Sequence, residues 1–254
     1  MFRNFPPPKT ILVSLLALST LAVAGWAWHL HTRVPDVSQI EQWGVLAGVQ
    51  DKVAMDSLRN AADSGSLVAA LVLGEVLVGS ADEALVQKGQ GWLQRAAEGG
   101  DPRASLALGK LLLKGAPGVA AQSLAAIPWL EAAVKGGKTG AAHYLGVIYR
   151  QDLIGQPRSP EKALHWLEIA AKAGVPDSQF LLGQMLMTGD GVAPSPELAR
   201  FWFEAAAEKE HPEANLQLLM AYTRNELGLK RDAEAESRQW KEAQHSLRHR
   251  PSPP

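Results

Sequence analysis

The residues able to do chemistry are few, and their spacing is unfavourable. The seven histidines are His29, His31, His143, His165, His211, His245 and His249. None forms an H-E-x-x-H pair or a two-histidine-plus-acid spacing, the patterns that set metal ligands on one helical face. His165 and Glu168 stand three apart, suited to a surface contact but lacking the further group that a metal or acid–base site needs. Glu208 and Glu210 are near-neighbour carboxylates, yet Lys209 lies between them and the segment reads as a solvated helix end. Gly189-Asp190-Gly191 has no strand before it and no G-K-[ST] after it, so it is a turn and not a phosphate cradle. The serines lack a nucleophile-elbow context. With no cysteine, disulfides, thiol nucleophiles and thiolate zinc sites are excluded. The expectation is a non-enzyme with no catalytic residue, cofactor or metal, whose chemistry is recognition.

Composition narrows what is recognised. The 254 residues are 46% hydrophobic, only 6% aromatic and 20% charged, a profile of small-residue-rich helices. Lys+Arg 25 against Asp+Glu 26 leaves a net charge of -1, so no basic excess exists to hold nucleic acid.

The first 30 residues read as targeting. Arg3 and Lys9 precede an uncharged stretch over residues 10–30, long enough to span a bilayer, with Trp26 and Trp28 at its far end. The same residues parse as a cleavable signal, with an apolar run over 11–18 and Ala22-Val23-Ala24 as a small-x-small site before Gly25. Both readings retain positive charge on the cytoplasmic side and export the rest, which in a Gram-negative cell means the periplasm. The expected organisation is 1–30 anchor or signal peptide, 31–48 linker and N-terminal capping region, 49–246 solenoid and 247–254 disordered tail.

The bulk of the chain repeats itself. Trp92, Trp129, Trp166, Trp202 and Trp240 recur at spacings of 37, 37, 36 and 38. Four residues after the first four come Ala96, Ala133, Ala170 and Ala206, and eight after the first three come Gly100, Gly137 and Gly174, with Glu210 breaking the series. A second ladder runs in step: Leu73-Gly74, Leu108-Gly109, Leu145-Gly146 and Leu182-Gly183, degenerating to Leu218-Leu219. Each leucine is preceded by a small residue one turn earlier, namely Ala69, Ala104, Ala141, Ser178 and Ala214. The ladders define a unit of about 36 residues made of two helices, because the apolar groups recur at helical and not alternating spacing. Glycine after the second helix can take the left-handed conformation that closes it. Ser159-Pro160-Glu161 and Ser195-Pro196-Glu197 supply a hydroxyl cap, a first-turn proline and an acid, and Asp101-Pro102 and His211-Pro212 open first helices in the same manner. Residues 230–244, rich in charge and keeping only Trp240, read as a polar capping helix.

These motifs resemble those of the Sel1-like repeat family, relatives of tetratricopeptide repeats. The pattern A-x-x-x-L-G-x-x-Y followed by K-A-x-x-W-x-x-x-A-A-x-x-G is met by Ala141, Leu145-Gly146, Tyr149, Lys162-Ala163, Trp166, Ala170-Ala171 and Gly174. The next unit supplies Gly189-Asp190-Gly191-Val192 and Trp202 through Ala207. Earlier units depart, with Leu77 and Leu112 in place of tyrosine, and Ala61-Ala62 with Gly65 suggest a preceding half-unit. The resemblance implies an all-α, right-handed superhelical α-solenoid of stacked helix-turn-helix repeats, joined to the N-terminal apolar helix. Its concave side would be lined by the first helix of each pair.

Positions two before and two after each ladder leucine, with three further, then form a candidate groove. It contains Leu71, Glu75 and Val78; Leu106, Lys110 and Leu113; His143, Val147 and Arg150; Phe180, Gln184 and Met187; Leu216 and Met220. Phe180, Met187 and Met220 would give adaptable apolar surface edged by Lys110 and Arg150. The resemblance implies a partner protein or peptide held by an envelope adaptor or scaffold tethered to the inner membrane through residues 10–30. The alternative it implies is an immunity protein that neutralises a secreted phospholipase-type antibacterial effector in the periplasm.

Overall fold

The computed structural model describes residues 35–153, 155, 157–229 and 233–248. The proposed anchor or signal over 10–30 and the tail beyond Arg248 lie outside them. Among the described residues the chain forms twelve helices: α1 Val37–Gly48, α2 Lys52–Asp63, α3 Leu67–Val78, α4 Glu83–Glu98, α5 Pro102–Lys114, α6 Ser123–Lys135, α7 Ala141–Tyr149, α8 Pro160–Lys172, α9 Pro176–Thr188, α10 Pro196–Ala207, α11 Pro212–Arg224 and α12 Ala233–Arg248. Each packs chiefly on the helices before and after it in sequence, which is the nearest-neighbour pattern of an α-solenoid.

A close contact recurs inside each hairpin. The glycine of every Leu-Gly pair faces the second helix so closely that a methyl group placed on it would overlap the residue after the tryptophan. The separations would be 2.8 Å from Gly74 to Leu93, 2.6 Å from Gly109 to Leu130, 2.6 Å from Gly146 to Leu167 and 2.7 Å from Gly183 to Phe203. Leu93, Leu130, Leu167 and Phe203 are fully buried, whereas Trp92, Trp129, Trp166 and Trp202 flank the core and keep an edge in solvent. A small residue completes each contact one turn earlier on the second helix: Gly89, Ala126, Ala163 and Ala199 are all buried. At Gly89 the approach is extreme, with the Gly74 carbonyl 2.9 Å from where a β-carbon would stand.

Turns between hairpins repeat as faithfully as the helices. After each second helix one residue turns left-handed: Gly65, Gly100, Gly137, Gly174 and, in the glycine's place, Glu210 at φ 60°. The next N–H then reaches back to the buried alanine, as Asp101 to Ala96 (3.1 Å), Lys138 to Ala133 (2.9 Å), Val175 to Ala170 (3.0 Å) and His211 to Ala206 (3.2 Å). This six-to-one bond satisfies a terminal carbonyl that would otherwise have no partner. The residue entering α6, α8 and α10 is tied back to the preceding helix, with Gln122, Ser159 and Ser195 donating their N–H to Leu112, Tyr149 and Leu186.

Caps differ in part from the sequence expectation. Asp101 accepts from the N–H groups of Arg103 and Ala104, and His211 Nδ1 accepts from Ala214. Ser159 and Ser195 make no side-chain cap bond.

Both ends depart from the repeat. At the start, the segment expected as linker and capping region contains α1, which buries Ile40 and Ala47 against α2 and α3. In α2 and the turn that follows it, Ala54, Leu58, Ala61 and Gly65 reproduce the second-helix pattern. At the other end, Leu219 stands where the glycine should be, and α12 meets α11 through polar bonds: Asn215 Nδ2 donates to Ser246 Oγ (2.7 Å) and Gln239 Nε2 to Asn215 Oδ1 (2.9 Å). The buried stripe of α12 is Ala235, Ala243 and Ser246. Trp240 lies off it, 54% exposed, and is not a fifth rung. Trp166→Ala is therefore expected to cost about 3 kcal/mol in urea unfolding, and Trp240→Ala less than about 1 kcal/mol. Equal losses would contradict this assignment.

Candidate binding cleft

Residues on the first helices reach the surface unevenly. Leu71 is 3% exposed, because α3 is covered by α1 and α2 as well as α4, and it belongs to the core. It offers nothing to a partner, contrary to the expectation from spacing. Glu75, Leu106 and Lys110 come together as expected, with Val78, in an open cleft of about 600 Å³. Arg103, Ala107, Lys114 and Lys138 also line it. Three of these were legible in the sequence: Arg103, Ala107 and Lys114 recur with Lys110 at i, i+4, i+7 and i+11, one face of α5. Lys138 comes from the turn after α6 and carries no such signal.

A second hollow of about 410 Å³, lined by Glu41, Gly44, Val45, Val72, Glu75 and Val76, adjoins the first through Glu75. Burial pushes the Glu75 carboxyl above its ordinary pKa, Arg103 opposes this, Asp101 adds to it and Lys110 opposes it again. Arg103 is engaged by Asp101 (3.3 Å) and lies 4.0 Å from Glu41, while Lys110 Nζ stands 5.8 Å from the Tyr144 ring.

Of the groove residues further along, His143, Phe180 and Met187 make contacts between hairpins. Phe180 stacks on His211 with ring centres 4.8 Å apart and leans on Phe203 at 5.7 Å, so it is packing rather than open surface. Met187 Sδ accepts from Gln217 Nε2 at 3.4 Å. Val147, Arg150, Gln184 and Met220 are half-buried, and Leu216 is 40% exposed. Phe180 and Met187 are thus engaged within the protein, and the open cleft lies on α3 and α5.

A polar cluster absent from the sequence reading joins α7, α9 and α11. His143 Nδ1 lies 2.9 Å from Ser178 Oγ, and His211 Nε2 lies 3.1 Å from Asp177 Oδ1. Because His211 Nδ1 accepts the Ala214 N–H, the ring proton sits on Nε2 and is donated to Asp177. That hydrogen bond holds the Asp177 carboxyl below its ordinary pKa against the effect of burial, helped by His143 and His211 when they are protonated. Burial lowers the His143 pKa, and Asp177 partly opposes this. Ser178 is wholly buried. His165 rests edge-on against Trp166, and Glu168 pairs with Lys172 rather than with His165. Asp190, in the Gly189-Asp190-Gly191 turn, pairs with Arg158. Among the described residues no group of three or more histidine or acidic side chains could hold a metal ion. Among them, too, no helix is long and apolar enough to cross a membrane.

A family model described as Sel1 repeat matches residues 79–101, 102–138, 139–175 and 176–211. Among solved structures, a Sel1 repeat protein from Oxalobacter formigenes is 25% identical with a TM-score of 0.70, over 90% of this chain and 98% of that one. The protein c5321, described as a protective antigen present in uropathogenic Escherichia coli strains and displaying an SLR fold, is 26% identical with a TM-score of 0.62. That match covers 78% of this chain and 45% of c5321. The immunity protein Pa5087 from Pseudomonas aeruginosa is 15% identical with a TM-score of 0.45, over 85% of this chain and 89% of that one, a likeness that carries no argument about function. No curated protein matches the chain.

The histidine junction is expected to make stability acid-sensitive. His143 and Asp177 both bind a proton more readily in the unfolded chain, so their stabilisation is complete above the ordinary values and is withdrawn as pH falls. For His143 the loss runs downward from 6.5 toward its lower native value, and for Asp177 downward from 3.8. The unfolding temperature should drop between about pH 7.5 and pH 5.5, and His143→Gln should remove most of that drop. An unchanged drop in the variant would contradict the assignment.

Proposed function

Because the chain belongs to the Sel1 repeat family, whose members are protein-interaction modules, we propose that it is a non-catalytic adaptor or scaffold that holds a partner protein or peptide in the cleft of α3 and α5. The observation that carries this reading is the cleft itself: about 600 Å³ of open space, floored by Val78, Leu106 and Ala107 and rimmed by charged side chains, on helices fixed by glycine contacts. Small-residue packing makes the backbone rigid there, which lowers the ordering cost of binding. A bacterial setting is supported by the relatives' organisms. The periplasm, with tethering to the inner membrane, is supported by the sequence of residues 10–30.

Ala107→Trp fills the cleft from its floor without altering the core leucines. Full-length protein should retain a partner in affinity capture from the native cell envelope, and the variant should lose it about tenfold or more at an unchanged unfolding temperature. Equal recovery with both would remove the cleft from the mechanism. Mass measurement of the captured chain should show the uncleaved N-terminus in the membrane fraction, whereas a chain beginning at Gly25 would eliminate the anchor.

A further inference from the structure

The two adjoining hollows carry opposite charge. Glu41 and Glu75 stand with Val45, Val72 and Val76 at one end. Lys110, Lys114 and Lys138 stand around Leu106, Ala107 and Leu111 at the other. Arg103 lies between them and is already answered by Asp101 and Glu41. The chain as a whole carries a net charge of -1, so three lysines converging on one apolar floor is a local arrangement and not a generally basic surface.

We infer that this trough takes an extended segment of a partner protein in which aliphatic side chains are followed by acidic ones. The aliphatic part lies over Val72, Val76 and Leu106, and the acidic part over Lys110, Lys114 and Lys138. This rests on the protein-binding reading above and adds the chemistry of what is held. A uniform polyanion, such as a nucleic acid or an acidic polysaccharide, would meet Glu41 and Glu75 at the far end and be repelled there. A segment with a neutral or basic start and an acidic finish meets complementary charge along its whole length. Glu75, in both hollows, sets the point where the preferred charge changes sign.

The test is selection of random display peptides on the full chain, on Ala107→Trp and on the double variant Lys110→Glu with Lys138→Glu. Peptides retained by the unmodified chain should combine aliphatic with acidic residues. They should bind the double variant about tenfold or more weakly, and weaken as salt is raised through the range where the screening length falls below about 10 Å. The double variant should instead select basic peptides. If that variant does not fold, Lys138→Glu alone, in an exposed turn, should weaken the same peptides several-fold. Peptides that need an open cleft, lost on Ala107→Trp, but show no acidic bias or no response to charge reversal would overturn this inference and leave the protein-binding reading standing. A selection that yields no peptide dependent on Ala107 would overturn both.

Discussion

One steric constraint organises the molecule: a helix can approach its neighbour to backbone distance only where the first helix has no side chain. Gly74, Gly109, Gly146 and Gly183 provide that gap, and Leu93, Leu130, Leu167 and Phe203 fill it. Helical glycine normally costs about 1 kcal/mol against alanine. Here that cost is outweighed by a branched or aromatic side chain taken fully out of water, roughly 1.5–3 kcal/mol for each such burial. Since the hairpin geometry is set by this contact, the turns that follow recur in one form, and stacking hairpins places equivalent residues of successive units side by side.

That side-by-side placement explains the links between hairpins. His143 with Ser178 and Lys209 with the Gly174 carbonyl are 35 residues apart, and Asp177 with His211 is 34 apart, close to the repeat length. Arg158 with Asp190 and Gln87 with the Gly118 carbonyl are 32 and 31 apart, joining one hairpin to the loop of the next. The stack ends where the constraint is broken. With Leu219 in the glycine's place, the last helix is held by Asn215, Gln239 and Ser246 instead of by a leucine or phenylalanine. Glu210, left-handed at φ 60°, marks the same transition with a strained residue where its predecessors have glycine.

The ladders of alanine, leucine, glycine and tryptophan made the solenoid legible in the sequence because helical repetition multiplies a weak local pattern. What escaped was set by non-repeating neighbours. Leu71 matched the outward stripe, yet α1 covers that side of α3, and α1 carries Trp43-Gly44 without the rest of the motif. Trp240 kept the spacing but lost the face. The fully buried position following each tryptophan was overshadowed by the larger aromatic. In the cleft, Glu75, Leu106 and Lys110 followed from position in the repeat, and the stripe of Arg103, Ala107 and Lys114 was present in the spacing but unused. Lys138 and the histidine junction needed coordinates, since a turn side chain and a cross-repeat bond leave no periodic trace.

The same close packing connects fold to function, since it sets the backbone of the first helices that line the cleft. The most direct measurement of the central claim is a double-mutant cycle at Gly146 and Leu167. Gly146→Ala alone should cost about 1–3 kcal/mol, although alanine favours helix. Leu167→Ala alone should cost about 2–5 kcal/mol, and the pair should fall short of the sum by at least about 1 kcal/mol, because the methyl group then occupies space the leucine has vacated. A neutral or stabilising Gly146→Ala, or strictly additive losses, would contradict the account.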